Sequence, residues 1–583
     1  MIRRITETAL FLLLCFNLSA QKVTSVEVSG NKEFSKQNYL QWAEIKEGSL
    51  IFEGIEDTVK NRITSNLFQN GYINSSITVQ NVPTDSASSV LYLNILEGEP
   101  ALLKKIGVSG KDSLLVSSVN FLADELNGLT FSVSLVENLI SRALEYCEEN
   151  GYPFASVTIL SIIFRKDSSG YSEADILFSL DGGMFSRINK IETEGNDKTN
   201  SDVIIRQTRI QEDDVYRQSV INAVPSRLNR LAFFEIAEEP HYYFNSKNEG
   251  VLKIKVKEKS TNNFDGIIGY NPGDENEKGY LTGFINISLR NLFGTGRAFA
   301  IKWEQIDRSS QNLELNYKEP WFLNFPLNLK FGLFQRKQDS TFVRRKITAE
   351  AEYLATENFS ASVIFSTGET IPAELKNKRF TVWKSDNTET GVNLNYDIRD
   401  DIFSPRSGIL LNSTFLVSRK RITGPEEYLT DETETKINLN KIEIDFHFYQ
   451  QIFKNQIIAL KLHGRELAGN KTELSDLYLM GGTNSLRGYR ENQFAGNRIL
   501  WENLEYRLLL GGRSFAFLFA DAGYYLRKED IEYSIPETES FKTGFGAGIN
   551  IETGIGVISI SYALGEGDSF SNGKIHFGLV NDF

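Results

Sequence analysis

Gly481-Gly482-Thr483-Asn484-Ser485-Leu486-Arg487-Gly488-Tyr489 is a glycine-rich loop carrying one cation, set among segments that alternate apolar and polar residues. Two glycines open it and Gly488 follows the arginine directly, so the chain can fold back tightly and hold one guanidinium in a fixed place. The carboxylates it could meet lie downstream, at Glu505 in Leu504-Glu505-Tyr506 and at Asp521 in Phe519-Ala520-Asp521-Ala522-Gly523. Alone, the stretch reads as an ordinary glycine turn with a solvated arginine. The rest of the chain changes that reading.

The 583 residues are too many for one core, so several domains are expected. Arg3 and Arg4, an apolar run from Ala9 to Phe16 and small residues ending at Ala20 read as a secretory signal peptide, residues 1–20. Cys15 follows three leucines rather than small residues, which argues against lipidation. Past that peptide Cys147 is the only cysteine, so stability must come from packing and hydrogen bonds rather than disulfides. A net charge of −13 argues against nucleic acid as a partner. No later run approaches the ~18 consecutive apolar residues a membrane helix needs, which leaves a periplasmic chain or one that crosses a membrane as strands. No His/Cys cluster has metal-ligand spacing, so no metal or other cofactor is expected.

The first part repeats with a period near 80. Val26-Glu27-Val28-Ser29-Gly30, Ile106-Gly107-Val108-Ser109-Gly110 and Ile191-Glu192-Thr193-Glu194-Gly195 are equivalent strand-and-turn segments. Each unit continues with a helix carrying an apolar stripe: Ile55, Val59, Ile63 and Leu67; Leu139, Ala143, Leu144 and Cys147; Val220, Val224, Leu228 and Leu231. Cys147 therefore faces a core. Each unit closes on an alternating strand, at Val90 to Leu96, Asp175 to Leu180 and Val251 to Val256. The expected boundaries are 21–100, 101–183 and 184–260.

From Asn262 onward, alternation at period two replaces the helical period. Ile442, Ile444, Phe446 and Phe448 alternate with Glu443, Asp445 and His447; Leu327, Leu329, Phe331 and Leu333 alternate with Asn328, Lys330 and Gly332. With no helices to cover so many strands, the apolar face is expected to meet lipid and the polar face a wet lumen. A closed barrel would leave no unpaired edge in lipid. Short turns alternate with longer polar loops, among them Pro272 to Lys278, Glu369 to Thr388, Arg419 to Thr435, Glu466 to Asn497 and Arg527 to Ser540. The count is 16 strands over residues 261–583, so the expected fold is three α+β repeats followed by a 16-stranded antiparallel transmembrane β-barrel.

The repeat pattern resembles the polypeptide-transport-associated (POTRA) domain, in three copies. With the strand-rich half and Leu486-Arg487-Gly488-Tyr489, it resembles the BamA/TamA superfamily of outer-membrane assembly proteins, whose loop motif reads (V/I)RG(F/Y). The leucine is the one departure. Glu505 matches the family's acidic residue on the strand after the loop, and Phe519, Asp521 and Gly523 match its Phe-x-Asp-x-Gly segment. Asn291-Leu292-Phe293-Gly294-Thr295-Gly296-Arg297 is a further family-like stretch. The resemblance implies a loop tucked into the lumen, with Arg487 paired to Glu505 and Asp521. It also implies a lateral seam between a first strand near Phe264 to Tyr270 and a last near Lys574 to Phe583, weakened by Gly266, Gly269 and Gly578. Phe583 matches the terminal aromatic of outer-membrane barrels, whereas Asn581 stands where an apolar residue is usual.

The function so implied is an outer-membrane insertase or translocase, with lipids and nascent outer-membrane β-barrel proteins as partners and its repeats in the periplasm. Three repeats favour the TamA branch, which implies a TamB-like inner-membrane-anchored partner at the first repeat. A BamA-type assembly role, a two-partner-secretion-like pore and a passive channel are the alternatives. No GxSxG elbow, P-loop or HExxH motif points to an enzyme.

Overall fold

The computed structural model describes residues 21–580 apart from 86, 167–171, 232, 237, 260–261, 272–279, 306–309, 339–340, 373–381, 403, 470, 530–534 and 554–555. The expected signal peptide with Cys15, and Asn581 and Phe583, lie outside the described residues. The chain divides into two compact units. One comprises residues up to Lys190 with Glu212–Ile221 and Phe244–Val251, and the other comprises Ile191–Gln211, Asn222–Tyr243 and Leu252–Phe583.

The first unit holds two repeats of one design. In the first, β1 (Lys22–Ser29) is followed by α1 (Lys36–Ala43), α2 (Ile55–Gln69), β2 (Ser76–Pro83) and β3 (Ser88–Leu96). In the second, β4 (Leu102–Gly110) leads to α3 (Ser113–Asp124), α4 (Val133–Glu149), β5 (Ser156–Lys166) and β6 (Ser172–Asp181). The sheets run β1-β3-β2 and β4-β6-β5, with the first strand parallel to the central one and the last pair antiparallel. Helix starts are fixed by side chains that take up orphan N–H groups: Ser35 and Asn38 form a capping box, and Asp112 and Ser132 cap α3 and α4. Ile55, Val59, Ile63 and Leu67 are buried, as are Leu139, Ala143 and Cys147, while Leu144 is half-buried. Burial, with Glu148 and Asp112 nearby, holds the Cys147 thiol above its ordinary range.

The recurrent turn glycines share one cause. A Cβ on Gly30, Gly110 or Gly195 would stand 2.3, 2.4 or 2.0 Å from the carbonyl oxygen of Ile95, Leu180 or Val256, each on the central strand of its sheet. Only a hydrogen fits there. In the first repeat Glu97 is buried, accepting from the Tyr39 hydroxyl at 2.6 Å and from the backbone N–H groups of Lys32, Glu33 and Phe34.

The third repeat departs from expectation. Its stripe is not one helix but two short ones, Gln218–Asn222 and Val224–Asn229, with Pro225 in the first turn of the second. Proline lacks an N–H and restricts the residue before it, which stops the first helix from continuing. Ile221, Val224 and Leu228 are buried, whereas Val220 and Leu231 are half-buried.

The second unit carries a 16-stranded antiparallel sheet whose strands pair in chain order, from Asn263–Asn271 to Lys574–Val580. One face is apolar and exposed, with Val363 and Phe365, Ile442 and Ile444, Leu504 and Tyr506, and Leu518 pointing outward. The intervening residues, among them Ser362, Lys441, Glu505 and Asp521, are buried on the inner face. This is the alternation of a transmembrane sheet. Several strands outrun the expected loops. Gly408–Gly424 pairs with Lys436–Phe453 as far as Arg421, inside the stretch read as a loop from Arg419 to Thr435. A cluster of Trp383, Ile422, Ile437, Leu439 and Leu467 packs at that end and extends the ladder. The expected closure is not made: among the described residues no ladder joins the first strand to the last. Gly266, Gly269 and Gly578 bring no side chain to those two edges, which removes the cross-strand contacts that stabilise a pair.

Candidate functional site

The long connection between strands Gln456–Gly469 and Arg498–Gly511 lies against the inner face of the sheet. Its tip turns at Gly481 and Gly482, whose φ angles are 118° and 97°; the Ser485 hydroxyl accepts from Gly481 N–H, and the Leu486 carbonyl accepts from Gly482 N–H. Asn503 donates to the Ser485 carbonyl at 2.7 Å. The turn delivers Arg487 to the wall. Its Nε and Nη2 donate to the two oxygens of Asp521 at 2.8 and 2.7 Å, its Nη1 donates to Glu505 at 2.8 Å, and its backbone N–H also reaches Asp521. The guanidinium carbon lies 3.6 Å from the centre of the Phe519 ring. The ion pairs are desolvated, the Asp521 side chain being 0% exposed and the other two 8% each. Planar, bidentate and permanently charged, arginine is the side chain that can satisfy both carboxylates at once.

The other motif residues are held as closely. Leu486 is fully buried, and a Cβ on Gly523 would come within 3.1 Å of its side chain. Gly488, at φ 93°, passes so near the strand Gly556–Gly565 that a Cβ would stand 2.7 Å from Gly565 N; a Cβ on Gly544 would lie 2.0 Å from the Arg487 carbonyl oxygen. The Tyr489 hydroxyl donates to the Thr543 carbonyl and accepts from Glu566 N–H, each at 3.0 Å. The stem of the loop is tied to other strands: Lys420 pairs with Glu473 and Asp476 at 3.0 and 2.8 Å, Arg344 donates to the Ser475 carbonyl, and Tyr478 donates to Glu443.

Sequence reasoning overlooked several of these neighbours. Arg507 donates twice to Glu505, at 2.9 and 2.8 Å, so this carboxylate is shared by two arginines. The last strand contributes His576, buried, whose Nε2 accepts from Gly488 N–H at 3.0 Å. The period-two rule held the signal for both: Arg507 follows Glu505 by two residues, and His576 alternates with the outward Ile575 and Phe577.

Of the expected seam residues, Gly266 lies opposite Ile285, Gly269 opposite Thr282, and Gly578 opposite Ser559, each on the ladder to its sequence neighbour. A Cβ on Gly578 would stand 3.3 Å from the Thr483 methyl group, which puts the loop tip beside the last strand. Phe583 lies outside the described residues.

The Asn291–Arg297 turn has a structural role. Asn291 donates to the Thr199 hydroxyl at 2.7 Å, Asn200 N–H donates to the Gly294 carbonyl, and Arg206 donates to the Thr295 carbonyl at 2.7 Å. A Cβ on Gly294 would lie 2.0 Å from the Lys198 carbonyl oxygen. Further along the rim, Arg209 donates to the Leu354 and Thr356 carbonyls, and Arg230 to the Glu357 carbonyl and to Asn358. The third repeat's segments in this unit are thus latched to two turns of the sheet. The carboxylates of the Arg487 cluster are all engaged by guanidinium donors, an arrangement that fixes the loop. Among the described residues no group of His, Cys, Asp and Glu side chains has the geometry of a metal site.

The family model for the Omp85 superfamily domain matches residues 291–583, half of the chain. This chain belongs to the Omp85 superfamily. The POTRA model, described as a surface antigen variable number repeat, matches residues 21–98 and 186–259; the stretch between them has the β4-β6-β5 sheet given above. As an Omp85 protein it is placed in the outer membrane with POTRA domains in the periplasm. The chain is similar to outer membrane protein assembly factor BamA of Nitratidesulfovibrio vulgaris, 24% identical over 543 residues, covering 83% of this chain and 63% of the relative. It is also similar to BamA of Neisseria meningitidis, 19% identical over 351 residues, covering 58% and 42%. It therefore spans less than two thirds of the length of either. Among solved structures, BamA from Haemophilus ducreyi lacking POTRA domains 1–3 aligns at 18% identity and TM-score 0.48, over 82% of this chain and 98% of that one. CdiB from Acinetobacter baumannii aligns at 13% identity and TM-score 0.45, over 83% and 90%.

Proposed function

We propose that this Omp85 protein is an outer-membrane insertase or translocase that receives strands of nascent outer-membrane β-barrel proteins at a lateral seam between its first and last strands. The observation that carries the reading is a first and a last strand that no ladder joins among the described residues, the last of them beside a loop tip locked to the wall by Arg487. An exposed strand edge is a template for another chain, and at this seam the guest's apolar face would meet lipid as it paired. Leu486, Arg487, Gly488 and Tyr489 with Glu505, Phe519, Asp521 and Gly523 hold the tip; Gly266, Gly269 and Gly578 belong to the proposed seam, to which Phe583, outside the described residues, is assigned from the sequence alone.

Three POTRA repeats, at 21–100, 101–183 and 184–260, favour a TamA-type role with a TamB-like inner-membrane-anchored protein at the first. A BamA-type general assembly role is the second reading, favoured by the names of the relatives above. Cysteines placed near Gly266 and Gly578 test the seam: oxidation that joins them should stop client assembly, and reduction should restore it. Assembly that continues normally with the ends joined would reject the gate. Depletion separates the roles, since a BamA-type protein is needed for outer-membrane proteins broadly, a TamA-type protein for a subset, and a dedicated secretion pore for one exported product.

A further inference from the structure

We infer that His576 is the positioning residue that couples the Arg487 loop to the last strand, acting as a latch that holds only while its imidazole is neutral. The coupling deepens the seam reading and rests on it for its functional meaning. Gly488 N–H donates to His576 Nε2 at 3.0 Å, so that nitrogen presents a lone pair and carries no proton. In the neutral ring the proton sits on Nδ1, which faces the Thr483 hydroxyl at 3.3 Å. Both ring nitrogens of a last-strand side chain are thereby spent on the loop tip. The side chain is 6% exposed, and Gly578, one pleat further, leaves room for the Thr483 methyl.

The remaining wall contacts of the tip fall on other strands: Asn503 and Glu505, then Asp521, then Thr543 and Gly544, then Gly565. Among the described residues the last strand pairs along one edge, at Ala563↔Lys574 through Val557↔Val580. His576 is thus its second attachment. A proton on Nε2 turns the acceptor into a donor facing an N–H, and the bond to Gly488 is lost. The charged groups around the ring are Glu491 and Arg487 from the loop, Asp521 from the strand Ser514–Arg527, and Lys574 from its own strand. The two cations oppose protonation and the two carboxylates favour it.

Hydrogen exchange of the full chain in lipid nanodiscs, normalised to intrinsic rates, reads the latch in peptides spanning 574–580. The wild type should show a step, with exchange about fivefold faster once the imidazole is protonated. His576→Ala should exchange at the fast level at every pH. His576→Gln, whose amide oxygen can accept from Gly488 and does not titrate, should stay slow with no step. The strand Leu327–Gln338, remote from the tip, should be unchanged in all variants. A wild type without a step confined to 574–580, or an Ala variant as slow as wild type, would overturn the latch. If the Ala variant fails to fold, the wild-type and Gln profiles still decide. Should the exchange behave as expected while client assembly is indifferent to His576→Ala and to the stapled seam, the latch stands and the gate reading fails.

Discussion

Replacing Arg487 with alanine tests the site most directly, because its two carboxylates are left in different positions. Glu505 keeps the two hydrogen bonds from Arg507, whereas Asp521, with a fully buried side chain, keeps the residue-487 backbone N–H. Orphaning a buried carboxylate of this kind costs about 3–5 kcal/mol. The Phe519 face also loses its cation, worth up to ~2 kcal/mol when desolvated. These contributions overlap, so we expect the single variant to lose ~3–5 kcal/mol in all. Adding Asp521→Ala removes the stranded charge and should return roughly 2–3 kcal/mol of the loss. Guanidinium titration in detergent micelles, followed by tryptophan fluorescence, reads both as midpoint shifts at constant slope. Loop release is read separately by protease cleavage between residues 481 and 497. A single variant within ~1 kcal/mol of wild type, with the loop still resistant, would refute the burial argument. A double variant no more stable than the single would refute the assignment of the cost to Asp521.

Gly544→Ala should expel the tip by a different route, since the added methyl would occupy the place of the Arg487 carbonyl oxygen; cleavage in the same loop should rise with all ion-pairing residues intact. In the first repeat, burial raises the Glu97 carboxyl, but the Tyr39 hydroxyl and the backbone N–H groups of Glu33, Phe34 and Lys32 outweigh it and hold the group below its ordinary 4.5. A lowered folded value gives stability that is present above the unfolded value and lost as pH falls through the folded one. Exchange protection of Lys22–Leu96 should therefore fall below about pH 4.5, and Glu97→Gln should weaken the repeat by ~1–3 kcal/mol at neutral pH and flatten that dependence. Gly294→Ala should unseat the Asn291–Arg297 turn from Lys198 and Asn200, seen as faster exchange at residues 198–201 without change in the Arg487 loop.

Strand number was legible because period-two alternation with an exposed apolar face leaves few other solutions, and the repeats were legible because turn glycines recur where a Cβ cannot fit. Strand ends were less so. Arg419 to Thr435 is polar enough to read as loop, yet Ile422 and Ile437 pack at the end of a ladder that continues past the apolar belt. The third-repeat helix looked continuous because apolar spacing carries no mark for the break that Pro225 imposes. At the site, Arg487 could be set beside Glu505 and Asp521 by resemblance, since those positions share a motif. Arg507 and His576 belong to no such motif, and their contacts depend on which strands the loop tip crosses, which one strand's pattern does not encode.

The connection that ends in Arg487 is tied at its stem to Lys420, Arg344 and Glu443, and at its tip to the strands from Arg498 onward. It works as a tie-rod across the inner face of the sheet, and in a closed barrel a rod so placed would also be a plug. Ionic current through a single molecule in a planar bilayer should therefore be small and quiet while the tip is seated. Each release of the tip should register as a discrete upward jump, so an electrode could time the unfastening of this loop one event at a time.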